Sequence, residues 1–118
     1  MIDLSDIAGD DFAYLTTTGR RTGTPHTIEI WFGIDRGVLY VMGGGREKSD
    51  WTQNLLADPK VRIRVRDHEW DAVARVVEAD TEEDARVREL LRGKYANPDD
   101  DLVGWARRAL PVAFGLRA

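Results

Sequence analysis

Two glycine-bearing segments carry residue types able to hold an anion. Gly19-Arg20-Arg21-Thr22-Gly23 sets two guanidinium groups and flexible backbone amides in a tight turn, where phosphate or carboxylate oxygens can be held. The same string also reads as a solvated hairpin turn, since paired arginines in loops commonly do nothing. Gly43-Gly44-Gly45-Arg46-Glu47-Lys48-Ser49 runs directly into a helix and combines bare backbone N–H groups, two cations and a positive helix end. Three glycines cost ordering entropy unless something must approach the backbone closely, which favours a phosphate cradle over a merely flexible cap.

A third candidate lies on a predicted strand. Trp31 and Glu29 stand on the face opposite a row of isoleucines, where an indole can stack on a planar ring and a carboxylate can accept a ring N–H. Both are candidates for substrate contact, although such a face also commonly meets a partner subunit. Tyr95 ends a capped helix and is the candidate catalytic proton donor, while a tyrosine there is more often a core residue with a satisfied polar tip. His26 at a strand entrance and His68 at a loop tip occupy routine surface positions, and neither is assigned as a catalytic acid.

Periodicity and turn chemistry predict the elements that hold these residues. Phe12–Thr18 reads as a strand ending in the arginine turn, and Pro25 opens the next one. From Thr27 to Ile34, Ile28, Ile30, Phe32 and Ile34 alternate with Thr27, Glu29, Trp31 and Gly33, predicting one half-buried strand. Asp35-Arg36-Gly37 turns into a strand over Val38–Met42. Ser49 is the expected cap of a helix with Trp51, Asn54 and Leu55 on one face, ending before Pro59. Lys60–Arg66 alternates apolar residues with arginines, and a two-residue loop at Asp67-His68 places Arg66 opposite Glu69 and Arg64 opposite Asp71. The return strand reaches about Ala79. Thr81-Glu82-Glu83-Asp84 reads as a capping box for a helix with Val87, Leu90, Leu91 and Tyr95 along one face. A short helix from Pro98 to Leu110, stopped by Pro111, precedes a last strand with Val112, Phe114 and Leu116 on one side. The chain is therefore mainly β, of α+β type: four or five antiparallel strands and a final one, in a small barrel or coiled sheet with two or three peripheral helices.

The bulk numbers narrow the function classes. A length of 118 residues predicts one domain over 1–118, and 42% hydrophobic with 32% charged residues is ordinary for a folded globular chain. Seventeen basic against twenty-one acidic residues leave a net charge of −4, which predicts no nucleic-acid partner. With no cysteine and two histidines, no metal site is predicted. The start Met1-Ile2-Asp3-Leu4-Ser5-Asp6 lacks the features of a signal peptide and no apolar run is long enough for an integral membrane segment, so a cytoplasmic protein is expected.

The ordered string Leu15-Thr16-Thr17-Thr18-Gly19-Arg20-Arg21-Thr22-Gly23-Thr24-Pro25-His26, the glycine loop, and Trp51-Thr52-Gln53-Asn54-Leu55-Leu56-Ala57-Asp58-Pro59-Lys60-Val61 together resemble the deazaflavin-dependent nitroreductase family. The likeness is close over Leu15–Val65 and looser over the helix after Thr81. It implies a split β-barrel that binds the deazaflavin coenzyme F-420, with relatives that use FMN or reduce quinones, nitroaromatics or other unsaturated compounds. Carried over, Arg20, Arg21 and Thr22 meet the coenzyme's phosphate or acidic tail. Met42, Gly43, Gly44, Gly45, Arg46, Lys48 and Ser49 line its polar side, and Trp51 and Asn54 shape the ring pocket. The chain departs from the pattern in lacking the long N-terminal extension of some relatives, in Glu29 and Trp31 where apolar residues or proline are usual, in His26 for arginine, and in a shorter glycine loop. The implied activity is hydride transfer between F-420 and a small electron-poor acceptor of quinone, nitroaromatic or enone type. The alternatives are an FMN-binding protein like the pyridoxamine-phosphate oxidases and a non-catalytic protein that holds the cofactor or a metabolite. On fold analogy a homodimer is expected, with the Trp31 face as one place for it.

Overall fold

In the computed structural model, which describes residues 4–117, seven strands form a single antiparallel sheet; those over Ala13–Thr18 and Lys60–Val65 bury every second residue, whereas Val38–Gly43 and residues 110–114 are buried on both faces. The expected reading of Met1, Ile2 and Asp3 lies outside the described residues. The strands are β1 (Ala13–Thr18), β2 (Pro25–Ile30), β3 (Gly33–Asp35), β4 (Val38–Gly43), β5 (Lys60–Val65), β6 (His68–Val76) and β7 (Leu110–Arg117). Helices α1 (Asp50–Ala57), α2 (Glu82–Tyr95) and α3 (Val103–Arg108) complete the fold, with a single 3₁₀ turn at Arg46–Lys48.

The strand order is β2-β1-β5-β6-β7-β4-β3, so β2 and β3 lie at opposite edges although only Trp31 and Phe32 separate them in sequence. A link this short spans roughly 10 Å. The sheet therefore has to curl until its two edges meet, and the result is the split barrel that the resemblance implied.

This closure corrects one expectation. Thr27–Ile34 is not one strand, because its partner changes from β1 to β4 at Trp31-Phe32, and the extra break brings the strands to seven. Ile28, Ile30, Phe32 and Ile34 nevertheless all face one core, since alternation reports the buried face and not the pairing partner. The Phe32 backbone groups, left without a ladder, are taken up by the end of α2. The Phe32 N–H donates to the Tyr95 hydroxyl at 3.0 Å, and the Phe32 carbonyl accepts from Lys94 Nζ at 2.8 Å.

The barrel interior is filled by Leu15, Phe32, Leu39, Val41, Ile63, Val65, Val112 and Phe114, with Leu4 and Ile7 of the N-terminal segment and Leu55 of α1 added to them. A second core forms outside the barrel, where Val87 and Leu91 of α2 and Ala106 of α3 cover Tyr40, Met42 and Ala113. Tyr40 and Arg75 both pair with Ala113, and this small residue leaves room for Glu83 to bridge them. Glu83 accepts from the Tyr40 hydroxyl at 2.6 Å and takes a bidentate pair from Arg75 at 2.7 and 2.8 Å. Thr81 caps α2 by accepting from the Asp84 N–H, but the Asp84 carboxylate returns to the Asp80 N–H and not to that of Thr81.

Other expectations shift by a residue or more. The β5–β6 turn is Arg66-Asp67, with Arg66 at φ 53°, so Arg64 pairs with Glu69 and Arg62 with Asp71. Arg66 instead reaches Asp10 with a bidentate contact at 2.7 and 2.8 Å. The helix expected from Pro98 begins only at Val103, because the Asn97 side chain accepts the Asp99 and Asp100 N–H groups and holds a turn there. Pro111 does not stop a helix; it lies inside β7, paired with Met42. The β6 strand ends at Val76, short of Ala79. Ser49 sits at the cap of α1 but its hydroxyl makes no capping bond.

Candidate functional site

Pro25 reveals which edge of the barrel is open. It pairs with Thr18 and has no N–H to give, so this pair is a non-hydrogen-bonded one, and the Gly19 N–H donating to the Thr24 carbonyl at 2.8 Å agrees. Alternation then commits His26, Ile28 and Ile30 to β1 and turns the N–H and C=O groups of Thr27 and Glu29 toward the free edge of β2. Across the split, β3 pairs only with Val38, Leu39 and Tyr40, so the end of β4 at Val41–Gly43 is unpaired on that side.

Two clefts lie along this seam, reached by successive inward residues of β2. The first, about 480 Å³, is lined by Thr17, Gly19–Thr22, His26–Ile28, and Asp50, Trp51 and Asn54 of α1. The second, about 270 Å³, is lined by Phe12, Glu29, Ile30, Trp31, Met42 and Trp105. Between them, the Trp51 ring lies over Gly43, next to Met42; a Cβ on Gly43 would fall 2.6 Å from Trp51 Cζ2.

The first cleft is cationic and anchored. Asn54, buried on α1, donates to Thr17 Oγ1 at 3.2 Å and accepts from the Arg20 backbone N–H at 3.2 Å and from Arg20 Nη1 at 2.8 Å. Arg20 Nη2 also pairs with Asp50 at 3.2 Å. Arg20 is thus spent on holding the turn against α1. Arg21, exposed in the same cleft, makes no hydrogen bond or ion pair among the described residues. Thr22 Oγ1 accepts from the Thr24 N–H, and the His26 ring lies against Gly19, where a Cβ would come 2.9 Å from Nε2.

The second cleft is aromatic. Trp31 stacks on Tyr95 with centroids 4.3 Å apart and planes at 4°, and Trp105 meets Trp31 edge-on at 5.5 Å. Burial, then the field of Asp11, pushes the Tyr95 hydroxyl up to about 12, while a hydrogen bond with Phe32 opposes them. That hydroxyl has one proton and faces two carbonyls, of Asp11 at 2.7 Å and Phe32 at 3.0 Å. Lys94 already serves the Phe32 carbonyl, so the Tyr95 proton belongs to Asp11. Tyr95 thereby ties the N-terminal segment to the wall of the cleft.

The structure divides the sequence candidates. Arg20, Arg21, Thr22, Trp51 and Asn54 come together in the first cleft, while Met42, Glu29 and Trp31 meet in the second. The glycine loop lines neither. Arg46 is turned to the Arg108 carbonyl at 2.7 Å, and the lack of side chains at Gly43 and Gly44 is matched by the indoles of Trp51 and Trp105 packed over them. Thr17, His26, Thr27, Ile28 and Asp50 line the first cleft and Phe12, Ile30 and Trp105 the second without having been chosen as site candidates from the sequence. Ile28 and Ile30 read as core because their period-two signal is the same in a closed barrel and at its open seam.

A family model described as F420H(2)-dependent quinone reductase matches residues 4–116. The chain belongs to this family. Membership makes it an oxidoreductase. Its relative "F420H(2)-dependent quinone reductase Rv1261c" of Mycobacterium tuberculosis is 27% identical over 101 residues, which cover 83% of this chain and 68% of the relative. Among solved structures, the conserved hypothetical protein Rv2991 from Mycobacterium tuberculosis superposes with a TM-score of 0.79 at 21% identity, covering 100% of this chain and 82% of the other. An F420-H2 dependent reductase, FDR-A, does so at 0.70 and 22% identity, covering 92% and 95%. Likeness at this identity speaks for the fold. Within the family's barrel, the free edge of β2 is where this chain exposes its polar and aromatic residues together.

Proposed function

We propose that this family member holds the deazaflavin coenzyme F-420 at the cationic cleft and reduces a small planar quinone at the aromatic one. The observation that carries this reading is Arg21: a guanidinium with no partner among the described residues, in a cleft where Arg20 is already paired with Asp50. A coenzyme with an anionic tail fits that donor set, with Arg21, Thr22 and His26 at the tail and Trp51 beside the ring system. When bound, the coenzyme supplies a hydride. The chain's part is positional: Asn54 and Asp50 fix the arginine turn, Trp51 closes the barrel side, and Trp31, Met42 and Trp105 hold the acceptor next to it. The Tyr95 proton is engaged by Asp11, so solvent provides the proton that completes reduction.

Nitroaromatic and enone acceptors, being planar and electron-poor, belong to the same proposal, as do a cytoplasmic location and a homodimer that adds a second wall to the seam. Titration of the protein with F-420 and, separately, with FMN, followed through tryptophan and cofactor fluorescence, tests it. Binding of F-420 in about the micromolar range, followed by quinone-dependent oxidation of its reduced form, is the expected result. Tight FMN binding instead moves the protein to flavin chemistry, and binding of neither overturns the proposal.

A further inference from the structure

Helix α3 carries Trp105, one wall of the aromatic cleft, and has little of its own to hold it there. At six residues it is far shorter than the roughly 12 an isolated helix needs in water, and of its residues Ala106 alone is buried. Its start is fastened within its own loop, where the Val103 N–H donates to Asp101 at 3.1 Å after Leu102 has turned through φ 60°. Its end leaves the carbonyls of Ala106, Arg107 and Arg108 without an intrahelical N–H. Two arginines from other elements take up all three. Arg88 of α2 donates through Nη1 to Ala106 at 2.8 Å and to Arg107 at 3.2 Å, and reaches the Ala109 carbonyl at 2.9 Å, while Asp84 holds its Nε at 3.0 Å. Arg46 of the glycine loop donates to the Arg108 carbonyl at 2.7 Å. Neither arginine lines a cleft.

We propose that Arg88, with Arg46 as a second support, is a positioning residue for the acceptor: by binding the open end of α3 it keeps Trp105 packed over Gly44 and edge-on to Trp31, and so sets the shape of the aromatic cleft. The inference rests on the reading of this cleft as the acceptor site. Without Arg88, three carbonyls at the helix end lose their donor and Asp84 loses its cation, so the helix is released from α2. A planar acceptor then loses one of the two indoles that hold it. The cationic cleft is built from the arginine turn and α1, which Arg88 does not touch, so the coenzyme's affinity is left in place.

The test compares Arg88→Gln with Arg88→Lys and with Arg92→Gln, which removes a cation one turn further along α2 whose partner is the exposed Glu89. Three quantities are read: exchange of the Ala106 and Ala109 amide protons by NMR, binding of 1,4-naphthoquinone by quenching of the protein's own tryptophans without cofactor, and kcat and KM with reduced F-420. In Arg88→Gln the two amides should exchange about tenfold faster and naphthoquinone should bind about tenfold more weakly, the size of one charge-assisted hydrogen bond lost from the helix end. The quinone KM should rise by a similar factor while kcat and F-420 affinity stay within about twofold, a split that a general loss of stability does not produce. Arg88→Lys, which keeps donors for the carbonyls, should recover most of the affinity, and Arg92→Gln should match the natural chain. Should Arg88→Gln fail to fold, Arg46→Gln, at the exposed bond, carries the same test with a shift of about threefold. Faster exchange in α3 with naphthoquinone binding unchanged overturns the inference while leaving the reductase reading intact, and so does unchanged exchange. Absence of naphthoquinone binding by the natural chain overturns the acceptor site itself.

Discussion

The two ends of the seam share one strand and differ in what faces it. At Thr17, His26 and Ile28, β2 is opposed by α1, whose Asn54 and Asp50 lock Arg20 and leave Arg21 outstanding. At Glu29, Ile30 and Trp31 it is opposed by Met42 and α3, and the polar groups there are consumed by backbone: Tyr95 by Asp11 and Phe32, Lys94 by Phe32. One end keeps a guanidinium without a partner among the described residues, and the other presents mainly ring faces. On the proposed reading, the two ends of one groove take ligands of different chemistry.

The largest effect that separates the ends comes from the arginine pair. Arg21→Ala should weaken F-420 binding by about 10- to 100-fold, the size of one or two charge-assisted hydrogen bonds, with little change in Tm. Arg20→Ala should do the reverse in emphasis, lowering stability by about 1–2 kcal/mol because the buried Asn54 loses its main donor. Equal Tm losses in the two variants, seen by differential scanning fluorimetry, would remove the distinction between an anchoring and a ligand-facing arginine.

Tyr95→Phe acts on the other end with a smaller effect. The ring stays against Trp31 while the Phe32 N–H and Asp11 carbonyl lose their partner, at a cost of about 2 kcal/mol. With Asp11 released, Phe12 no longer has a fixed place in the aromatic cleft. The acceptor KM should rise about fivefold, with F-420 affinity within twofold of the natural chain. If kcat falls a hundredfold with KM unchanged, Tyr95 is the proton donor after all and the positional role given to it is wrong.

The same contrast explains what the sequence could tell. The cationic end is local: Arg20, Arg21 and Thr22 are consecutive, and Trp51 and Asn54 share one helical face, so the residues could be grouped before any fold was known. The aromatic end is assembled from Phe12, Glu29, Trp31, Met42 and Trp105, which meet only because the sheet closes at Trp31-Phe32. No periodicity announces that closure, since the core face continues through the break while the pairing partner changes. The glycine loop, which lines neither cleft, is ambiguous in sequence for a related reason. A missing side chain can make room for a ligand or for an indole, and the choice at Gly43 and Gly44 depends on where Trp51 and Trp105 fold back. The β5–β6 register slipped because charge pairing fits either offset: Arg62 contacts both Glu69 and Asp71, at 3.3 and 3.0 Å.

The smallest effect concerns the helix that supplies Tyr95 and Lys94, and it makes the two ends separable by pH. Hydrogen bonds from Arg75 and then Tyr40 hold Glu83 well below the usual range for a carboxylate, at about 2 against 4.5. A carboxyl depressed on folding contributes stability that is fully present above about pH 4.5 and is lost as the pH falls toward 2. Glu83→Gln should therefore cost about 1 kcal/mol at pH 7, and its Tm should converge with that of the natural chain as the pH drops through this window. Glu83 pins the start of α2 over β4 and β6, so acid should loosen the aromatic end while α1, which Glu83 does not touch, keeps the arginine turn. Tryptophan emission reads this directly. In a Trp51→Phe, Trp70→Phe background the remaining Trp31 and Trp105 should shift to the red between pH 4.5 and 2, and Glu83→Gln should show that shift already at higher pH. A simultaneous change of Trp51 in the complementary background would mean that the two ends unfold as one unit.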